Sequence, residues 1–195
     1  MFNDLTSTLS LLETRRSGRP RDLVAPGPSP GELRRILAIA TRSPDHGKLA
    51  PWRFVHVAQA ERDAFAALLD AAYRIDRPEP GRLEIEANQR FAHQAPELIV
   101  ALSCPTPDHK IPVWEQELSC GAACMNLLLA THALGYAAGW VTGWAAYSDR
   151  VREAFGGGPD DRIAGFIFLG TPGADLEERV RPAPESVISA WTPPA

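Results

Sequence analysis

Between Glu117 and Asp149 the chain carries no Asp, Glu, Lys or Arg, and this uncharged run limits the possible folds more than any other feature. Residues 118–148 must be buried by a bilayer, by the chain's own core or by a partner. A membrane-spanning helix needs about 20 predominantly apolar residues, often with basic flanks. Here Asn126, Thr131, His132, Gly135 and Gly139 interrupt the run and both flanks are acidic, so the run reads as core. The pattern predicts a long apolar helix over Trp114–Leu134, a C-terminal stop at Gly135 and a strand in Ala137-Ala138-Gly139-Trp140-Val141-Thr142-Gly143-Trp144. The chain of 195 residues is 45% hydrophobic and 23% charged, the balance of a soluble globular protein, and its length suits one domain over 1–195.

The rest of the chain supplies the other layers. Leu5, Leu9 and Leu12 recur at helical spacing ahead of a basic cluster at Arg15, Arg16 and Arg19. A Pro- and Gly-rich connector follows. Ser29-Pro30-Gly31-Glu32 then joins an N-cap serine, a first-turn proline and a glutamate three residues on, which launches a helix with Leu33, Ile36, Leu37 and Ala40 on its apolar face. Phe54, Val55 and Val57 mark a short strand; Glu61–Arg74 and Arg82–His93 read as helices; Leu98–Ser103 and Ile163–Leu169 read as buried strands. Ser148 is placed to cap a short helix over Val151 and Phe155, stopped by three glycines. Two helices between the first and second strands favour an α+β three-layer domain around a small sheet over a regular doubly wound one. The segment 171–195 is a Pro-rich tail containing Val187, Ile188 and Trp191.

Several chemistries are excluded by what is missing. A net charge of -4 gives no global field toward nucleic acid or anionic lipid, so neither a nucleic-acid nor a membrane partner is expected. Three cysteines and an N-terminus without the order of a secretion signal point to a reducing, cytoplasmic setting. No GxGxxG follows a strand, and there is no phosphate-binding GxxxxGK loop, no GxSxG and no HExxH. Cys120 and Cys124 share a helical face but lack zinc-knuckle spacing, so they read as packing. Glu115 and Glu117 point to different faces of their helix. No catalytic nucleophile, general base or metal set is expected.

Anion binding is better supported. Arg15, Arg16, Ser17 and Arg19 fall where a helix gives way to a loop, and guanidinium forks beside a hydroxyl suit a phosphate dianion. A solvated basic cap on the helix C-terminus explains the same residues equally well. Arg179 and Arg181 are spaced by two in an extended tail, so both can face one ligand, although tail charges are commonly just hydrated. The loop from Arg42 to Trp52, stiffened by Pro44 and Pro51, has the form of a ligand-presenting loop or of a plain helix-to-strand connector.

Taken in order, the RRSxR segment at 15–19, the Pro44-Asp45-His46-Gly47-Lys48-Leu49-Ala50-Pro51-Trp52-Arg53-Phe54 loop, the His109-Lys110-x-Pro112-x-Trp114-Glu115-Gln116-Glu117 helix start and the terminal Leu169-Gly170-Thr171-Pro172 strand resemble the FMN-dependent nitroreductase family, and within it the short bacterial NAD(P)H nitroreductases. The resemblance implies a mixed, mostly antiparallel sheet flanked by helices, in an intertwined homodimer with FMN at the subunit interface and the tail 171–195 packed on the partner. It implies that Arg15 and Ser17 hold the FMN phosphate with Arg16 between them, that Arg19 faces the flavin pyrimidine edge, and that Arg42 and His46 reach FMN from the second subunit. Trp140, Val141 and Thr142 would lie along the isoalloxazine, and Arg179 and Arg181 would be the basic pair near the phosphate. Two departures alter the expected contacts: Lys48-Leu49-Ala50 stands where many members have Ser/Asn-x-Gln, and Val141 stands where the subgroup often has Arg.

The implied activity is a ping-pong oxidoreduction. NAD(P)H reduces bound FMN, and a small electron-poor acceptor such as a nitroaromatic or quinone reoxidises it, with the chemistry carried by the cofactor. A non-catalytic FMN-binding sensor or storage protein would use the same binding residues, and steady-state NAD(P)H oxidation separates the two.

Overall fold

The computed structural model describes residues 2–194. Helix α1 (Thr8–Thr14) opens the chain with Ser7 as its N-cap, and the two-residue strand β1 (Leu23–Val24) lies in the connector after it. Helix α2 (Pro30–Ala40) begins with the expected reciprocal capping box between Ser29 and Glu32. Then come β2 (Trp52–Val57), α3 (Arg62–Asp76), α4 (Arg82–Ala92) and β3 (Glu97–Ser103). The long helix α5 (Val113–Ala133), β4 (Ala137–Val141), the short α6 (Asp149–Ala154), β5 (Arg162–Pro172) and a single turn, α7 (Pro184–Val187), complete the order.

Strand β5 is the centre of the sheet. It pairs with β3 on one side, with β2 beyond, and it also pairs with β4 and, at its far end, with β1. Every one of these pairings is antiparallel, so the parallel member of the expected mixed sheet is not among the strands of the single chain.

The period-2 alternation of the strands sorts the core into two layers. Leu98, Val100 and Leu102 of β3 and Phe166 and Phe168 of β5 face a cluster completed by Phe65, Leu69 and Ala72 of α3 and Val151 of α6. Ile99 and Ala101, with Ile167 and Leu169, face the opposite cluster, where Ile36 of α2 and Cys120, Cys124 and Leu127 of α5 pack. The sheet is therefore sandwiched between α2 and α5 on one face and α3, α4 and α6 on the other, the three-layer α+β arrangement that the sequence predicts. Phe91 stands nearly perpendicular to both Phe166 and Phe168, with ring centroids 5.2 and 5.3 Å apart. Such edge-to-face pairs are worth about 0.5–1.5 kcal/mol beyond their buried area.

The uncharged run is thus a core helix and a core strand, joined through Gly135, whose φ of +87° favours glycine. Among the described residues no helix is long and apolar enough to cross a membrane. Two details differ from expectation. The side chain of Ser148 makes no capping bond at the start of α6. The leucine stripe near the N-terminus is also not turned inward: Leu11 is the buried residue of α1, whereas Leu5, Leu9 and Leu12 are exposed.

Trp114 and Leu118 are likewise exposed on α5, and the tail leaves Val180, Val187, Ile188 and Trp191 exposed. One chain alone therefore leaves large apolar side chains uncovered on α1, α5 and the tail.

Arg62 shows how the α3 layer is tied down. It is 1% exposed, and its guanidinium donates to the carbonyls of Val57, Ala92, Gln94 and Pro96 at 2.8–3.3 Å. One side chain thereby satisfies carbonyls at the end of β2 and in the turn from α4 to β3.

Candidate functional site

Residues 15–19 leave α1 and run along the free edge of β4. The Gly18 amide donates to the Ala138 carbonyl at 3.1 Å. The approach is close enough that a Cβ at Gly139 would sit 2.5 Å from the Gly18 carbonyl oxygen. The basic turn is therefore docked on the uncharged strand, which makes a solvated helix cap an incomplete account of it.

Within the turn, Arg15 Nη1 donates to Ser17 Oγ at 3.2 Å. Burial pushes the Arg15 guanidinium below its ordinary value, and the nearby charges of Arg181, Arg16 and Arg179 push the same way. The structure therefore brings the basic pair of the tail within electrostatic range of Arg15, which itself bonds the Ser17 hydroxyl. Two tail glutamates answer part of this charge: Glu178 pairs with Arg16 Nη2, and Glu177 with Arg19 Nη2. Arg16 Nε is buried with no partner, and Arg15 forms no ion pair among the described residues. Ser17, Gly18, Arg19, Leu176, Glu177 and Arg179 border one polar cavity of about 160 Å³. Under-neutralised guanidiniums, an orphaned Nε and a hydroxyl suit a phosphate dianion.

His132 lies beneath this group, fully buried in α5. Its Nδ1 is 3.2 Å from the Tyr136 carbonyl, which fixes Nδ1 as the protonated nitrogen and leaves Nε2 without a partner. Burial, and then the charge of Arg15, hold its pKa down at about 4, so the ring is neutral at ordinary pH.

The other expected positions lie elsewhere. No contact joins Arg42 or His46 to the Arg15 group; Arg42 is exposed after α2, and His46 Nδ1 is 2.7 Å from Glu115 Oε2 at the start of α5. Their loop is well organised. Asp45 accepts from the amides of Leu49 and Ala50 at 3.1 and 2.9 Å, which supports left-handed backbone at Lys48 and Ala50.

At the end of β4 the three expected residues diverge. Trp140 lays its indole over Gly165 and donates from Nε1 to the Ala164 carbonyl at 3.0 Å. Val141 packs against the α3 face of the core, and Thr142 borders a separate, largely apolar cavity. Sequence reasoning missed Glu115, Glu177 and Glu178. The Glu177-Glu178-Arg179 run in the tail is a charge signal for the last two, whereas the His46–Glu115 contact spans 69 positions and leaves no local trace.

Comparison with known proteins identifies the family. The model of the nitroreductase family matches residues 12–171. YdjA of Escherichia coli K12, which carries the provisional name NAD(P)H nitroreductase, is 36% identical over 164 residues, covering 84% of this chain and 87% of its own length. A Haemophilus influenzae protein with the same provisional name is 36% identical over 172 residues, 88% of this chain and 91% of its own. Among solved structures, a nitroreductase-like family protein from Bacillus cereus superposes with a TM-score of 0.78 at 20% identity, over 95% of this chain and 96% of that one. A nitroreductase from Exiguobacterium sibiricum, solved in complex with FMN, gives 0.71 at 18% identity, over 96% and 98%. The structural neighbours share the fold, and the sequence relatives share more than a third of their residues. The chain is an enzyme of the nitroreductase family.

Proposed function

We propose that the protein is an FMN-dependent oxidoreductase that uses NAD(P)H to reduce small electron-poor acceptors, nitroaromatics and quinones among them, by a ping-pong mechanism. The observation that carries this reading is the Arg15–Ser17 pair, with the charges of Arg16, Arg179 and Arg181 close enough to act on Arg15, Arg16 Nε unpartnered and the local charge only partly neutralised. Related proteins point the same way: two carry the name NAD(P)H nitroreductase and one neighbour was solved with FMN.

Arg15 and Ser17 would hold the phosphate through charge-assisted and hydroxyl hydrogen bonds, and Arg16, Arg179 and Arg181 would complete the positive wall. Arg19 lies on the same turn and places positive charge toward the flavin pyrimidine edge. The backbone of Trp140, Val141 and Thr142, whose side chains diverge, would form the protein wall along the ring. FMN, held there, would supply the redox chemistry between NAD(P)H and the acceptor. The chain contributes position, charge and exclusion of water, and no general base of its own is required.

The functional unit is a homodimer. The exposed apolar residues Leu9 and Leu12 of α1, Trp114 and Leu118 of α5 and Val187, Ile188 and Trp191 of the tail need a cover that one chain does not supply. A second copy provides it. Arg42 and His46, remote from the Arg15 group of their own chain, then serve the partner's cofactor, and the tail 171–195 packs on the partner.

The test is an absorption spectrum of the purified protein followed by steady-state NADH and NADPH oxidation with a nitroaromatic or quinone acceptor. A yellow protein that turns over is expected. A colourless protein that ignores added FMN would overturn the reading, and a yellow protein without turnover would favour a flavin sensor.

A further inference from the structure

A second cavity, of about 260 Å³, lies between α3, α4 and the segment after β4, away from the arginine turn. Its walls are apolar and aromatic: Leu69 and Tyr73 from α3, Phe91 from α4 and Trp144, with the Tyr73 and Trp144 rings tilted at 59° and 4.7 Å apart. Two polar side chains of α4 interrupt that surface. Glu84 and Asn88 are four residues apart, so they sit one above the other on the same helical face.

The orientation of Asn88 is fixed. Trp144 Nε1 can only donate, and it donates to Asn88 Oδ1 at 3.0 Å, so the other end of the amide is the NH₂ group. That Nδ2 has no partner, although Asn88 is only 4% exposed. A buried amide donor left unpaired costs about 1–3 kcal/mol, and a ligand acceptor would recover it.

Glu84 is equally constrained. It accepts from Tyr73 Oη at 2.5 Å and from the Gly81 amide at 2.8 Å, and these bonds hold its carboxyl below the usual carboxylate range. The cavity thus has an apolar wall, one unpaired N–H donor buried in that wall and, one turn away, a fixed carboxylate with lone pairs to spare.

The geometry points to a binding site for a small uncharged aromatic carboxamide. The ring would lie on the Phe91–Trp144 wall, the carboxamide oxygen would accept from Asn88 Nδ2, and its N–H would donate to Glu84. A carboxylate ligand of the same shape would lack that N–H and would meet the charge of Glu84. The assignment rests on this cavity alone. It borders the proposed cofactor site at Thr142 but uses none of the arginine turn, so FMN affinity and benzamide affinity are read separately.

The experiment is a ¹⁵N–¹H titration of the full-length protein with benzamide and, in parallel, with benzoate, following the Trp144 indole N–H peak assigned through Trp144→Phe. Benzamide is expected to shift that peak saturably, and benzoate to bind at least tenfold more weakly. Asn88→Asp, assayed at pH 8 to favour the ionised carboxyl, keeps the acceptor for Trp144 and replaces the amide donor; it should weaken benzamide at least tenfold. Ala87→Trp, at an exposed position on the cavity rim, should abolish binding while leaving FMN affinity unchanged, and it reads the site even where Asn88→Asp fails to fold. No shift at the solubility limit of benzamide, equal affinity for benzoate, or full benzamide affinity in either variant would overturn the assignment.

Discussion

Arg15 donates to Ser17 at 3.2 Å, in a turn whose register on β4 is fixed by the bond from the Gly18 amide, the next residue, to Ala138. A guanidinium and a hydroxyl two positions apart are thereby held on one side of a backbone anchored to the core. A fixed pair of this kind binds a phosphate with little ordering cost, since the groups already occupy their places.

Arg15→Ala should therefore weaken FMN binding by the value of its charge-assisted contacts, about 1.5–3 kcal/mol each, or roughly ten- to a hundredfold in Kd. Ser17→Ala should cost less, because it removes a neutral partner. Fluorescence titration of the apoprotein with FMN measures both, and unchanged affinity in Arg15→Ala would show that the phosphate is held elsewhere.

Gly139 connects the fold to that turn. A Cβ there would meet the Gly18 carbonyl oxygen at 2.5 Å and Pro20 carbons at 3.1 and 3.2 Å. Gly139→Ala should push residues 15–19 off the strand, destabilise the protein by about 1–3 kcal/mol and weaken FMN binding together with stability. Gly31→Ala, inside α2 with nothing within 4 Å of the added carbon, is the control: it should leave FMN binding unchanged and not lower stability. Thermal melts and FMN titrations on the two variants decide it.

The core elements were legible because burial leaves a local signature: the uncharged run became α5 and β4, and Ser29 with Glu32 announced α2. Strand β1 was not legible, since Leu23 and Val24 pair with Thr171 and Pro172 across the chain and have no pattern of their own. The site divides in the same way. Arg15, Ser17 and the Arg179–Arg181 pair were visible as residue types, but their convergence is a tertiary fact. The Glu84–Asn88 cavity was hidden in a helix that reads simply as polar and partly exposed.

Arg62 supports stability more than function. Its four carbonyl partners come from two separate stretches, and Arg62→Met would leave them buried without a donor. At about 1–3 kcal/mol for an unsatisfied group, with partial relaxation, a loss of several kcal/mol is expected, with Arg62→Lys intermediate. Chemical denaturation should show a lower midpoint with an unchanged slope. A variant as stable as the parent would mean that water replaces the guanidinium.

His132 gives the acid limb of stability a specific origin. Its folded-state pKa of about 4 lies below the ordinary value of 6.5, so between these two pH values the unfolded chain binds a proton that the folded chain refuses. Above pH 6.5 the ring is neutral in both states and contributes no pH dependence. As pH falls from 6.5 toward 4 the folded state should lose up to about 3 kcal/mol through this residue, at 1.36 kcal/mol per pKa unit. His132→Asn removes the titrating ring, so its stability between pH 6.5 and 4.5 should fall less steeply than that of the parent, whatever its absolute stability. Denaturant midpoints across that range test this directly, and parallel curves for the two proteins would assign the acid sensitivity to the carboxylates instead.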